Sequence, residues 1–391
     1  MNQGFFQSGE VDRPAIHRMD CGVSCRLLRD CRFPKMKPTG EGKLKILVVA
    51  EAPGEKEDKE NLQLFGPAGQ LFREKLTEFG IDLDRDCRKT NAVRCRPPDN
   101  RAPTLQEIST CQPHIWEEIR MFKPKLILLL GQSALNSFLL NRQKKIGPIG
   151  QWRGLVIPDQ KAGCWVCPTY HPSYILRVQN AVGDKGGKGI EEKVFEWDLE
   201  RALSHLRKPF PVAPIPKIII NESPSINLAG RQIAIDYETT GLRPWERKDH
   251  RIVSCAFGWE SGACAWGMST DTILYTKSVL IASNIQKIAH NCKFEHQWAA
   301  QCLGVETQGW VWDTMLAAHL ADNRKGICGL KHQAYLNFGI ENWGIDFEED
   351  EDENDGSPLV NAQPTEELLR YNSLDAFWTW QLYQKQKALF K

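Results

Sequence analysis

Apolar residues along this chain gather into short continuous runs separated by longer amphipathic stretches, and they do so in two series. In the first, residues 44–54 (LKILVVAEAPG) read as a buried strand running into a Pro/Gly loop. Residues 68–80 (AGQLFREKLTEFG) carry apolar positions at helical spacing. Residues 90–95 (TNAVRC) follow, then a helix over 105–122 (LQEISTCQPHIWEEIRMF). Residues 124–131 (PKLILLLG) read as another buried strand, and QSALNSFLL after it as a helix. Residues 163–173 (GCWVCPTYHPS) form a further strand ending in a polar loop. Continuous apolar strands alternating with helices predict an αβα layer, a parallel sheet covered on both faces. Functional loops of such a sheet gather at the carboxyl ends of its strands.

Residues 208–217 (KPFPVAPIPK) hold four prolines in ten positions. Proline lacks an amide hydrogen and fixes φ, so this stretch sustains neither a helix nor a central strand. It predicts a semi-rigid linker, set at 208–227, between a first domain at 1–207 and a second at 228–391. In the second, residues 231–241 (RQIAIDYETTG) begin a new sheet. Residues 253–268 (VSCAFGWESGACAWGM) continue it as a meander, and the remainder reads mainly as helix. The class is therefore α/β with two domains. GDKGGKG at 183–189 lacks the spacing of a phosphate loop and reads as a mobile loop.

Composition narrows the setting. At 391 residues and 41% hydrophobic, the chain is long enough for two ordinary cores. No run approaches eighteen apolar residues, and the N-terminus lacks a basic start followed by an apolar stretch, so a cytosolic protein is expected. The net charge of +1 hides an asymmetry: residues 1–208 carry 34 Lys+Arg against 26 Asp+Glu, and residues 209–391 carry 16 against 23. A basic first half suits a polyanion. The acidic second half suits carboxylates gathered for divalent metals, although the run FEEDEDEND at 347–355 reads as an exposed loop. Thirteen cysteines in such a setting point to metal binding or small buried residues, not to disulfides.

Three segments carry the chemistry of the first domain: EAPGEKED at 51–58, TNAVRCRPPDNR at 90–101 and TYHPSYILR at 169–177. In this order, over residues 20–205, they resemble the family 4 uracil-DNA glycosylases, the iron–sulfur branch of that superfamily. The resemblance implies a [4Fe–4S] cluster on four cysteine thiolates, ligands that suit iron. Cys95 and Cys111, separated by fifteen residues, match the family's second pair. For the first pair Cys21, Cys25 and Cys31 are all available, without the usual two-residue gap. Cys21 and Cys25 are preferred, because Cys25 precedes a leucine-bearing stretch like the family's. Cys164 and Cys167, inside an apolar strand, read as core packing. The cluster is expected to be structural, since base excision needs no electron transfer.

Excising a base requires taking it out of the stack, reading its Watson–Crick edge, and stabilising charge on the departing uracil and the sugar. The resemblance implies Asn91 at the uracil edge, His171 at a uracil carbonyl oxygen, and Glu51 or Glu57 near the sugar. Arg96 and Arg101 are candidate phosphate contacts. One position departs from the family. An aromatic residue normally stacks on uracil where QLFGPAG (63–69) has Leu64, with Phe65 one position later. Either Phe65 takes over, or the pocket has drifted toward binding without excision.

In the second domain, AIDYETTGL (234–242) sets Asp236 and Glu238 at i and i+2 on a strand, hence on one face. Two adjacent carboxylates repel unless a cation neutralises them. AHNCKFEHQW (289–298) offers Asn291 and Glu295 four apart, a spacing that predicts one helical face. YNSLDAF (371–377) offers Tyr371 and Asp375 at the same spacing. The ordered set, over 228–391, resembles the DEDD 3′→5′ exonucleases. It is closest to the proofreading domain of bacterial and phage family-A DNA polymerases, with a ribonuclease-H-like mixed sheet. The resemblance implies that Asp236, Glu238 and Asp375 hold two Mg²⁺ or Mn²⁺ ions and that Tyr371 orients the attacking water. Glu295 stands where the family more often has aspartate. Asp313 and His290 read as structural.

The chain is thus expected to process DNA, in the cytoplasm or in that of a phage-infected host. Its second domain would remove nucleotides from 3′ ends, and its first would excise or recognise uracil. A separate DNA polymerase is the expected partner, because no polymerase-sized segment follows residue 391. The alternative is a DNA- or polymerase-binding scaffold in which the first domain, or both, does not cut.

Overall fold

A computed structural model describes residues 21, 25–143, 145–182, 189–221, 228, 230–341, 343 and 363–390. Residues 183–188 of the glycine-rich loop and the acidic run at 347–355 lie outside the described residues. The chain divides into two compact units, Met1–Ala213 with Phe338–Glu341, and Pro214–Asn337 with Asn342–Lys391. No described helix is long and apolar enough to cross a membrane.

The first unit is built on β1 (Ile46–Ala50), β2 (Cys87–Asn91), β3 (Leu126–Leu130), β4 (Ile157–Asp159) and β5 (Cys164–Thr169). Their order is β2-β1-β3-β5-β4. The first four neighbours pair in parallel, and β4 closes the edge antiparallel to β5. Every residue of β1 and β3 is buried, as the unbroken apolar runs require of strands covered on both faces. The covering helices are α1 (Glu55–Glu60), α2 (Pro67–Glu78), α3 (Leu105–Phe122), α4 (Gly131–Leu139), α5 (Pro172–Val182) and α6 (Ile190–Ser204). Helix α3 opens on a Thr104–Glu107 capping box, which satisfies two otherwise orphaned backbone amides. On one face of the sheet Ile46, Val48, Leu126 and Leu128 pack with Phe72, Leu76, Phe195 and Leu199. Strand order reverses at β1/β3, so the loops leaving the carboxyl ends of β1, β2, β3 and β5 lie along one sheet edge.

The second unit holds β6 (Lys217–Ile220), β7 (Gln232–Thr239), β8 (Ile252–Trp259), β9 (Gly262–Gly267), β10 (Gln286–Ala289) and β11 (Trp310–Asp313). The sheet is mixed, ordered β11-β10-β7-β8-β9-β6. The β7–β8–β9 meander is antiparallel, and β10, β11 and β6 add in parallel. This is the ribonuclease-H-like arrangement. Its helices are α7 (Thr270–Ile281), α8 (Cys292–Trp298), α9 (Thr314–Ala321), α10 (Leu330–Phe338) and α11 (Glu366–Leu389). Strand β6 corrects the linker reading. Residues 217–220, inside the expected 208–227 linker, follow Pro216 at the end of the proline-rich run and pair with β9 as an edge strand. An edge needs only one row of hydrogen bonds, so a short run after prolines suffices there.

Candidate functional site

In the second unit three carboxylates meet. Ligand oxygens of Asp236, Glu238 and Asp375 all lie within 4.8 Å of one another. Strand alternation supplies the first two, both on β7. Helix α11 supplies the third, with Tyr371 one turn earlier on the same helix. Glu295, on α8, lies against them with 3% of its surface exposed and its Oε2 without a hydrogen-bond partner. Burial, reinforced by Asp375, pushes the Asp236 carboxyl well above the usual range. Burial, then Asp236 and Asp375, does the same to Glu238. Glu295 is raised by burial and by Asp236 and Glu238. Burial and the three acids Asp375, Glu238 and Asp236 also raise the Tyr371 phenol, so it stays protonated. Three hard carboxylate donors, with Glu295 and its unpaired buried oxygen next to them, fit a divalent cation such as Mg²⁺ or Mn²⁺.

The Asn291–Glu295 pairing does not hold as read. Asn291 is the N-cap of α8, with φ 85°, so the two do not share a helical face. Asp313 sets that start: its carboxylate accepts the backbone N–H groups of Asn291 at 3.2 Å and Cys292 at 2.8 Å. The same carboxylate caps α9 through Met315 and Leu316. His290 donates to or accepts from Thr314 Oγ1 at 2.8 Å, and burial lowers its pKa to about 4. Both residues brace the helix that carries Glu295.

Several residues of this site escaped the sequence reading. Asn372 donates to Asp236 Oδ2 at 2.6 Å and accepts from Ser254 Oγ at 3.0 Å. Trp343 Nε1–H donates to Asp375 Oδ1 at 2.6 Å. The Lys331 ammonium pairs with the same carboxylate and lies 4.3 Å from the Trp343 ring centre and 4.2 Å from that of Tyr371. Only Asn372 left a signal, three residues before Asp375 on one helical face. Lys331 and Trp343 reach the site from elements whose local pattern carries no mark of it.

In the first unit the motif residues stand on adjacent strand ends. Glu51 follows β1 and accepts from Ser133 Oγ at 2.9 Å. Asn91 ends β2, opposite Ala50, and is 3% exposed. His171 follows β5. Its Nδ1 accepts the Ser173 backbone N–H at 3.1 Å and lies 2.8 Å from Ser173 Oγ. An accepting Nδ1 carries no hydrogen, so the neutral ring presents Nε2–H as a donor. Burial, aided by the charge of Arg177, lowers the His171 pKa to about 4. Gly131, at φ 86°, lies beside it: a Cβ there would stand 3.0 Å from His171 Cβ. Glu57 has a different setting, its Oε1 accepting the Gly66 N–H at 2.8 Å and so tying down the loop that carries Leu64 and Phe65. Leu64 is buried in the main core at φ 53°, a strained backbone for a branched residue. Phe65 is exposed and lines a separate cavity of about 680 Å³ with Lys56, Gln70 and Glu74. Of the two arginines, Arg96 donates to Asn100 and Arg101 forks onto Glu107.

The cysteines also converge. Cys25, Cys95 and Cys111 are buried together with Leu27, Val93 and Ile108, and Cys31 packs against them. Cys21 lies near enough to raise the thiol pKa of both Cys25 and Cys111, behind the larger effect of burial. Burial pushes Cys95 up to about 12 and Cys111 to about 11. The Lys35 N–H donates to Cys95 Sγ at 3.2 Å, as a backbone amide does toward a ligating sulfur. Cys164 and Cys167 are buried in β5, away from this group.

Fold and sites together define a hydrolytic DNA-processing enzyme, a uracil-DNA-glycosylase-like unit fused to a 3′→5′ exonuclease unit. The chain matches the uracil DNA glycosylase superfamily over residues 38–195 and the 3′-5′ exonuclease family of DNA polymerase A over 219–389. It is 38% identical over 171 residues to a type-4 uracil-DNA glycosylase of Thermotoga maritima, covering 43% of this chain and 82% of that one. A type-4 enzyme of Pyrobaculum aerophilum is 35% identical over 172 residues, 41% of this chain and 86% of its own. Through its first unit the chain belongs to the type-4 uracil-DNA glycosylases. A DNA polymerase of Bacillus phage SP01 is 25% identical over 334 residues, 78% of this chain and 35% of the polymerase.

Proposed function

We propose that the second unit removes nucleotides from DNA 3′ ends by two-metal hydrolysis, and that the first unit finds and excises uracil. The observation that carries the first half is the convergence of Asp236, Glu238 and Asp375 within 4.8 Å, on a ribonuclease-H-like sheet. These three would hold the Mg²⁺ or Mn²⁺ ions, with Glu295 at the edge of the set. Cations held there supply the charge that activates water and stabilises the departing 3′ oxygen. The Tyr371 hydroxyl, kept protonated by its surroundings, orients that water. Asn372 fixes the Asp236 carboxylate, and Asp313 fixes the helix that presents Glu295.

In the first unit Asn91 would read the uracil edge, and the neutral His171 would donate Nε2–H to the carbonyl oxygen where charge develops. Glu51, held by Ser133, is the better placed of the two acids for the sugar, since Glu57 is engaged with Gly66. Cys21, Cys25, Cys95 and Cys111 would hold a [4Fe–4S] cluster as a structural staple. A second reading is supported by Leu64. Its burial in the core leaves stacking to Phe65 or to nothing, which favours a unit that recognises uracil without cutting. The phage polymerase resemblance reaches into both units. It motivates the further proposal that this protein works beside a DNA polymerase.

A 5′-labelled oligonucleotide with one uracil tests both halves. With Mg²⁺, a ladder shrinking from the 3′ end is expected, absent in EDTA and in Asp236→Ala. After alkali, a break at the uracil is expected, absent in His171→Ala. No ladder under any divalent metal and no alkali break would leave the binding reading in place. Four iron per purified chain, lost in Cys95→Ser, is the outcome expected for the cluster.

A further inference from the structure

The loop between β7 and β8 starts one residue past the strand that carries Asp236 and Glu238. Its tip is unlike the rest of the second half of the chain. Residues 242–251 (LRPWERKDHR) hold four of the sixteen Lys+Arg of residues 209–391, against two acids. Trp245 stands among them with 57% of its surface exposed. Arg243 and Lys248 are exposed in the same loop, and Arg251 is exposed at its base. Arg243 and Arg247 are paired with Glu246 and Asp249 at 3.4 and 3.1 Å, across solvent-exposed contacts that are weak and exchangeable.

The base of the loop is tied down. His250, 8% exposed, donates Nδ1–H to the Arg243 carbonyl at 2.8 Å. Gly241 lies flat on that ring: a Cβ there would meet His250 Cε1 at 2.5 Å. Thr240 and Arg251 exchange three hydrogen bonds: the Thr240 N–H and hydroxyl donate to the Arg251 carbonyl at 3.1 and 3.4 Å, and the Arg251 N–H donates to Thr240 Oγ1 at 2.9 Å. Pro244 is buried between the exposed residues. A large aromatic held out on such a base loses little entropy when something stacks on it.

We propose that this loop is a single-strand platform, in which Trp245 stacks on a base of the strand entering the carboxylate site and Arg243 and Lys248 meet its phosphates. Aromatic stacking beside basic side chains is the general means of holding single-stranded nucleic acid without reading its sequence. The loop leaves β7 two residues after Glu238, so its net positive tip gives the strand a place to hold other than the carboxylates that repel it. The inference rests on the exonuclease reading, and it names the surface that takes the rest of the strand.

Two measurements on the full chain test it. In the first, a hexanucleotide carrying 5-iododeoxyuridine is irradiated with the protein in Ca²⁺, and the crosslinked peptide is identified by mass spectrometry. A crosslink on residues 240–251 is expected; crosslinks confined to other segments would overturn the platform. In the second, 3′ release is compared between a dinucleotide and a hexanucleotide. For wild type, KM should fall with length. Trp245→Ala should raise the hexanucleotide KM about 5- to 100-fold with kcat and the dinucleotide KM unchanged, and Trp245→Phe should recover most of it. Equal effects on both lengths would assign Trp245 a structural role and overturn the proposal. Failure of the exonuclease reading shows separately, as wild type releasing nothing from either substrate, and the crosslink then still decides the loop.

Discussion

In the first unit the desolvated titratable group at the strand ends is a half-buried base, His171; in the second it is a set of acids, half-buried Asp236 and Glu238 with buried Glu295. Desolvation favours the uncharged form of each. For His171 the uncharged form is the one the proposed chemistry uses, since a neutral imidazole with Nε2–H is the required donor. For the carboxylates it is the opposite, because a protonated acid does not hold a cation. On the proposed chemistry the His171 donor is in its working form once folded, whereas the carboxylates would be completed by the ion they hold.

Asp236→Asn should separate the two units most strongly. Release from 3′ ends should fall by about three orders of magnitude, and Mn²⁺ binding measured calorimetrically should be lost. Uracil excision should be unchanged; a parallel loss of both would mean that the two units do not work separately. Next in size is His171→Ala, which should lower uracil excision by about 10²- to 10³-fold and leave 3′ release intact. Because the His171 pKa is near 4, wild-type excision should show no inflection near 6.5. An NMR titration of the imidazole with an ordinary midpoint would refute the neutral-donor role.

Stability should move with pH in opposite senses at the two sites. Folded His171 binds fewer protons than unfolded between about 4 and 6.5. Its contribution is therefore complete above 6.5 and is lost as pH falls toward 4. The three carboxylates, raised above their ordinary 3.8 or 4.5, bind more protons folded than unfolded. Their contribution is complete below about 4 and is lost as pH rises through the raised values. At neutral pH, Glu295→Gln should thus raise the metal-free melting temperature, by about 2–4 °C for each kcal/mol relieved. Saturating Mn²⁺ should raise wild type by more than it raises the variant, which keeps the other three carboxylates. The smallest expected effect is that of Leu64→Phe. If stacking is what the pocket lacks, excision should rise about tenfold, the worth of one aromatic contact. No gain, with the core destabilised by the larger ring, would favour Phe65 as the stacking residue.

Much of this was legible in the chain itself, wherever the needed geometry is local. Period-two alternation alone places Asp236 beside Glu238, and a four-residue spacing places Tyr371 over Asp375. Unbroken apolar runs mark β1 and β3 as central strands. The three-residue β4 and the edge strand β6 left no such mark, because a strand that short has no period, and an edge needs only one partner. Asn291 was misread because a spacing of four implies one face only inside a helix, and the Asp313 carboxylate starts α8 one residue later.

The linear chain specifies the inventory of donors and the local register of each pair. Only the tertiary structure decided which pairs meet. It brings Glu295, Lys331 and Trp343 from three separate elements to the Asp236 cluster, and it gathers five cysteines that span residues 21 to 111. It also decided that Leu64 packs in the core while Phe65 faces solvent. The physical reason is that burial belongs to the assembled molecule. Desolvation, which sets the protonation of His171 and of the carboxylates, arises only when distant segments close over one another, and no window of sequence contains it.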